Sequence, residues 1–262
     1  MKAIVLGGTS DIGINLINSF LKKNYEVYAT YRSEENKKDF RDGVHWFQLD
    51  ISSNKDRKDF KRWLEKINNW NIFISCIGSQ EPIGLIESID SMKWMEGINL
   101  NSTYQMTALI EALPFRDKDQ ECSVMLFAGG GTNSATPNYS AQTLGKILLI
   151  KFVELIDAEI EQLKIFILGP GWVKTKIHNA TLKSRNQSGQ NFHKTLEMLN
   201  SNKMNPISKV VDDINHLLSM PKNLISGRNF SSVHDDLSIK NLKRLYEIDK
   251  DFYKLRRCLN YK

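Results

Sequence analysis

Short apolar runs alternate along the chain with longer stretches of helical period. Lys2 to Leu6 is apolar and ends in glycines, and Ile12 to Lys23 then carries Ile12, Leu16, Ile17, Phe20 and Leu21 at helical spacing, which predicts strand, glycine turn and helix. The pattern recurs. It predicts strands Tyr25 to Tyr31 and Val44 to Leu49, helix Lys55 to Asn68, strand Asn71 to Ile77 and a long helix Ser91 to Leu113. Strand Val124 to Phe127, a second long helix Asn138 to Gln162 and strand Lys164 to Leu168 follow, up to the breaker Gly169-Pro170-Gly171. Ile72-Phe73-Ile74 and Ile165-Phe166-Ile167-Leu168 are continuous rather than alternating, as strands covered on both faces require. The expected fold is therefore α/β, a doubly wound parallel sheet with crossover helices on both sides.

No repeat or linker splits the chain. Residues 1–237 read as one domain, within which the polar stretch 176–205 reads as a mobile lid that also carries Phe192, Leu196 and Leu199. Residues 238–262 read as a basic helical tail, in which Lys240, Lys243, Arg244, Lys250, Lys254, Arg256, Arg257 and Lys262 are interleaved with Leu and Tyr. The 262 residues are 41% hydrophobic and 25% charged, which excludes disordered and collagen-like classes. A net charge of +6 is too small to argue for a nucleic-acid partner. Nothing approaches the roughly 18 consecutive apolar residues of a membrane span, and no signal-peptide order opens the chain, so a cytoplasmic protein without membrane contact is expected. Cys76, Cys122 and Cys258 are an odd set without C-x-x-C spacing, which argues against a disulfide framework and a zinc site; two of them are expected in the core. No metal constellation is visible.

Ligands of such a sheet bind beyond the carboxyl ends of the strands. The turn Gly7-Gly8-Thr9-Ser10-Asp11-Ile12-Gly13 lies there, between a strand and a helix, where small residues let the backbone approach a pyrophosphate. It resembles the T-G-x-x-x-G-x-G turn of the short-chain dehydrogenase/reductase family, with Leu6 in place of the threonine and Asp11 in place of the middle glycine; Asp11 can also cap the helix. The resemblance implies a Rossmann-type fold and extends through most of the chain, to about Gly227. Arg32-Ser33 follows the second strand, where an NAD-preferring site would hold an acid, so NADP(H) is expected over NAD(H). Asp50-Ile51 resembles the family's adenine contact, and Ser75-Cys76-Ile77-Gly78 stands where the family has N-N-A-G. Ile98-Asn99-Leu100 resembles V-N-L, whose asparagine supports a proton relay. Pro170-Gly171-Trp172-Val173-Lys174-Thr175 is similar to P-G-x-V-x-T, which closes on the nicotinamide and its phosphates.

The resemblance also implies a tyrosine four residues before Lys146 and a serine about thirteen residues upstream of that tyrosine. Gln142 stands in the first place and Ala128 or Gly129 in the second. Three explanations compete: an enzyme that uses Tyr139, with Thr132 or Ser134 polarising the carbonyl; a nucleotide-binding protein that has lost its chemistry and senses NADP(H); or a glutamine introduced to silence a working enzyme. Gln142 has no titratable proton. The loop Gly129-Gly130-Gly131-Thr132-Asn133, the segment Leu168 to His178 and the Lys-Leu-Arg-Arg tail are similar to proteins of surface-polysaccharide and nucleotide-sugar pathways, which implies a sugar or nucleotide-sugar substrate. His178, Asn179, Asn191 and His193 suit a hydroxyl-rich ligand, although His178 alone reads as a lid surface residue. Leu109, Leu148, Phe152 and Leu155 are expected on outer helix faces in a homodimer or homotetramer.

Overall fold

A computed structural model describes residues 1–257, so Cys258 and Lys262 lie outside the described residues. Strands β1 (Lys2–Leu6), β2 (Glu26–Tyr31), β3 (Val44–Gln48), β4 (Ile72–Ser75), β5 (Cys122–Phe127), β6 (Leu163–Gly169) and β7 (Asn229–Ser231) form one sheet in the order β3-β2-β1-β4-β5-β6-β7. Every pairing is parallel. The order reverses between β1 and β4, which opens a crevice at the carboxyl edge of the sheet. Strand β7 has no counterpart in the hydrophobic pattern, because three residues are too few to carry a period.

Successive side chains of each strand enter opposite layers. Ala3 and Val5 join Leu16, Ile17 and Phe20 of α1 (Asp11–Lys22) and Val210, Ile214 and Leu217 of α8 (Ile207–Ser219). Ile4 and Leu6 join Phe60 and Leu64 of α2 (Asn54–Ile67) and Leu149 and Val153 of α5 (Ser140–Glu159). The helix expected over Ser91 to Leu113 is broken into α3 (Ser91–Asn101) and α4 (Thr103–Ala112). At the break Ser102 leaves helical geometry, with φ −144° and ψ −81°, and its hydroxyl donates to the Ile98 carbonyl at 2.6 Å. Leu109 is fully buried within the layer above α4, so it lies in the core and not on the outer face expected for it.

Residues 176–205 fold as α6 (His178–Lys183) and α7 (Gln190–Asn200), with Thr181 and Ser188 fully buried. Beyond α8, the short α9 (Lys222–Ile225) leads into β7, and α10 (Ile239–Ile248) packs Leu242 into the body. The guanidinium of buried Arg228 staples the segment after α10. It donates to the Ser226 and Lys250 carbonyls, both at 2.7 Å, and lies 4.4 Å from the centre of the Phe252 ring. Arg228→Ala leaves two carbonyls without their charged donor, and unfolding in urea is expected to show a loss of about 2–4 kcal/mol. An unchanged midpoint would show that the segment holds without the staple.

Candidate functional site

A cleft of about 1520 Å³ runs along the carboxyl edge of the sheet. Its floor begins at the turn after β1. Gly7 holds φ +66°, its amide donates to Thr30 Oγ1 at 2.9 Å, and a Cβ there would meet Ile77 at 3.1 Å. The cap of α1 is Ser10, whose Oγ accepts from the Gly13 amide at 3.1 Å; Asp11, a candidate cap in the sequence, does not perform that task. Its carboxylate instead accepts the Lys176 amide at 2.6 Å, across the cleft entrance. Thr9, Ser10, Asp11 and Ile12 line the cleft, and the amides of Asp11 and Ile12 at the start of α1 have no hydrogen-bond partner among the described residues.

Arg32 is exposed at the end of β2, lines the cleft and has no acidic partner among the described residues. Ser33 does not line the cleft, because its hydroxyl turns back to Asn36 at 3.2 Å. Asp50 Oδ1 accepts from the amide and hydroxyl of Ser52, at 3.0 and 2.7 Å, while Ile51 is buried beside it. Cys76, Ile77 and Gly78 continue the floor. Cys76 is half-buried at the cleft and Cys122 is buried in the core; desolvation pushes the Cys76 thiol up to about 12.

Lys146 lines the same cleft, 5% exposed, and its ammonium makes no hydrogen bond or ion pair with any described residue. It is placed by the close approach of α3 and α5. A Cβ on Gly145 would meet Asn101 Cβ at 2.6 Å, and one on Gly97 would meet Ala141 at 3.1 Å. Burial pulls the Lys146 ammonium down to about 8, opposed only weakly by the nearby Cys76 thiol. A Cβ on Gly129 would meet Lys146 Cγ at 3.0 Å, whereas Ala128 is buried in the core layer with Leu149 and Val153. Of the two positions proposed from the sequence for the missing serine, Gly129 is thus the one that faces Lys146.

Neither Asn99 nor Asn101 lines the cleft, and Asn99 accepts from the Thr103 hydroxyl at 2.8 Å across the break between α3 and α4. Fully buried Asn101 accepts the Ser79 amide at 3.1 Å and donates to the Ser79 and Gly97 carbonyls, both at 2.9 Å, which fixes the Gly78-Ser79 loop over Lys146.

Gln142 lines the cleft, half-buried, with its amide free of any described partner. Tyr139 is buried, and its hydroxyl hydrogen-bonds Thr181 Oγ1 at 2.6 Å, while the Thr181 hydroxyl also reaches Gln80 Oε1 at 2.8 Å. Burial pushes the Tyr139 phenol upward, against the bonds to Thr181 and Ser188. The hydroxyl therefore ties α5, α6 and the loop after β4 together. Gly131, with φ +97°, lets the loop carrying Thr132 and Ser134 close on Thr143, where a Cβ would meet the threonine methyl at 2.5 Å.

Pro170, Gly171, Val173 and Thr175 line the far wall. His178 lies behind them at 7% exposure, so it is a buried residue and not the surface residue expected. Its Nε2 bonds the Val173 carbonyl at 2.9 Å, its ring stacks on Trp172 at 5.3 Å, and burial lowers its pKa against the pull of that carbonyl. Asn191 lines the cleft and donates to the Pro137 carbonyl at 3.0 Å, whereas His193 faces away.

The sequence profile of the family described as short chain dehydrogenase matches residues 1–186. A short-chain dehydrogenase/reductase of Saccharomyces cerevisiae superposes with a TM-score of 0.80 at 19% identity, covering 90% of this chain and 98% of its own. An aldohexose dehydrogenase of Thermoplasma acidophilum gives 0.74 at 16%, covering 88% and 91%. An actinorhodin polyketide ketoreductase with NADPH gives 0.76 at 14%, covering 88% and 94%. No curated protein matches.

A lysine whose pKa falls to about 8 on folding costs stability while it is charged. Between about 8 and the unfolded value the unfolded chain binds the extra proton, so stability rises with pH across that window. Lys146→Met is expected to stabilise the ligand-free protein by about 1–3 kcal/mol at pH 7, with the gain shrinking toward pH 10. Urea unfolding at the two pH values measures it, and a destabilised variant at pH 7 would refute the assignment.

Proposed function

The chain belongs to the short-chain dehydrogenase family, and on that footing we propose an NADP(H)-dependent oxidoreductase that acts on a carbonyl or hydroxyl of a sugar-like substrate with an altered acid–base pair. The observation that carries this reading is Lys146: a buried ammonium without a partner, facing a cleft that also presents a glycine turn, a helix N-terminus and Arg32. The residues fit a dinucleotide. Gly7 to Gly13 and the free amides of α1 suit a pyrophosphate, Asp50 and Ile51 suit the adenosine end, and Arg32 suits a 2′-phosphate. Lys146 would meet the ribose hydroxyls, and Pro170, Gly171, Val173 and Thr175 would wall in the nicotinamide. When bound, the cofactor supplies or accepts the hydride. An NADPH complex and an aldohexose dehydrogenase among the structural relatives support the cofactor and substrate readings.

The acid–base residue is the weak part of the frame. Gln142 can orient an oxygen by hydrogen bonding but cannot protonate it, and the Tyr139 hydroxyl is committed to Thr181. This favours, as a second reading, a protein that binds NADP(H) as a sensor without turnover.

Two outcomes follow for the site. Arg32→Asp is expected to abolish or reverse a preference for NADPH over NADH in fluorescence titration; equal affinities in the parent would remove the role given to Arg32. Gln142→Tyr is expected to raise NADPH-dependent carbonyl reduction by about 10²–10⁴-fold, the range of a positioned general acid. No gain, with cofactor binding intact, would favour the sensor. The third outcome concerns assembly. Leu144, Leu148 and Leu155 stand 44%, 44% and 50% exposed along one face of α5 with half-buried Phe152, which supports a homodimer through that helix. Leu148→Glu is expected to halve the mass seen by light scattering, and a monomeric parent at micromolar concentration would exclude the dimer.

A further inference from the structure

Lys176 stands at the entrance to the lid helices and bridges three segments that surround the cleft. Its amide donates to Asp11 Oδ2 at 2.6 Å, and its ammonium lies 3.9 Å from Asp11 Oδ1 and 3.5 Å from Asp39 Oδ2. Asp11 is the first residue of α1, directly after the Ser10 cap, and Asp39 ends the helical turn that follows Arg32. The Asp11 carboxylate therefore has the surroundings that an anion at a helix N-terminus takes: the positive end of α1, an amide donor and an ammonium. Asp39 Oδ2 is buried and makes no hydrogen bond, so its contact with the lysine is purely electrostatic.

We propose that Lys176 is a cofactor-binding residue that closes over the diphosphate of a bound dinucleotide, and that the Asp11 carboxylate stands in for that diphosphate until it arrives. The proposal rests on the dinucleotide reading of the cleft. A diphosphate at the start of α1 brings negative charge beside Asp11 and competes with it for the same ammonium. The lysine then turns from carboxylate to phosphate while its backbone keeps the lid entrance in place. Asp11 thereby weakens binding and shortens the stay of the cofactor, and Lys176 does the opposite.

Asp11→Asn separates the two parts of the contact, because the asparagine oxygen still accepts the Lys176 amide while the charge is gone. At low ionic strength Asp11→Asn is expected to tighten NADPH binding by about two- to fivefold and Lys176→Met to weaken it by about as much, the range of single partly exposed charges. In the double variant the gain from Asp11→Asn should vanish. Adenosine 2′-monophosphate, which carries no bridging diphosphate, should respond less than twofold to either change, a margin set by screening over that distance. Titration of protein fluorescence reads all four proteins with both ligands. A parent that binds NADPH with an affinity that Asp11→Asn leaves alone or weakens overturns the proposal alone, as does an equal response of adenosine 2′-monophosphate. A parent that binds no NADPH overturns the dinucleotide reading together with it.

Discussion

A largely buried ammonium group that faces the cleft without a counter-ion is the constraint around which the cleft is arranged. Desolvation works against the charge of Lys146, and its neighbours do little to offset that: the Cys76 thiol is itself held protonated by burial, and Gly78 and Gly129 present no side chain. The tight seam between α3 and α5 keeps the lysine there, because at Gly97 and Gly145 the helices approach more closely than a side chain would allow. A site of this kind gains most from a ligand that brings hydroxyl or anionic oxygens, since such oxygens satisfy a group the protein leaves unsatisfied. Binding and local stability are therefore coupled at a single atom.

Much of the architecture was legible in the sequence for one physical reason. A sheet covered on both faces needs continuous apolar strands, and Ile72-Phe73-Ile74 and Ile165 to Leu168 declare themselves as such. The glycine turn was legible too, because its residues serve local backbone geometry. What was not legible depends on contacts between distant segments. The break at Ser102 sits directly after Asn101, which the loop around Ser79 grips, and no period in the helix announces it. The grip of Asn101 on Ser79, the burial of His178 against Val173 and the link from Tyr139 through Thr181 to Gln80 are all of that type.

The departures at the reacting end share a geometry. Tyr139 sits at the first turn of α5 and is drawn toward the lid, while Gln142 and Lys146 follow along the helix toward the floor. The phenol and the ammonium therefore serve different walls of the cleft. Proximity and orientation remain available to a bound substrate even where a proton donor is lacking.

The sheet ends at β7, and the far side of that strand is met by the chain's own last segment: the Asn229 amide donates to the Tyr253 carbonyl at 2.9 Å. The same segment supplies the Lys250 carbonyl that Arg228 holds. A partial opening that frees only residues 249–253 therefore uncovers a strand edge able to pair with a neighbouring chain while the rest of the sheet stays folded, so local fraying at this one segment and self-association are linked.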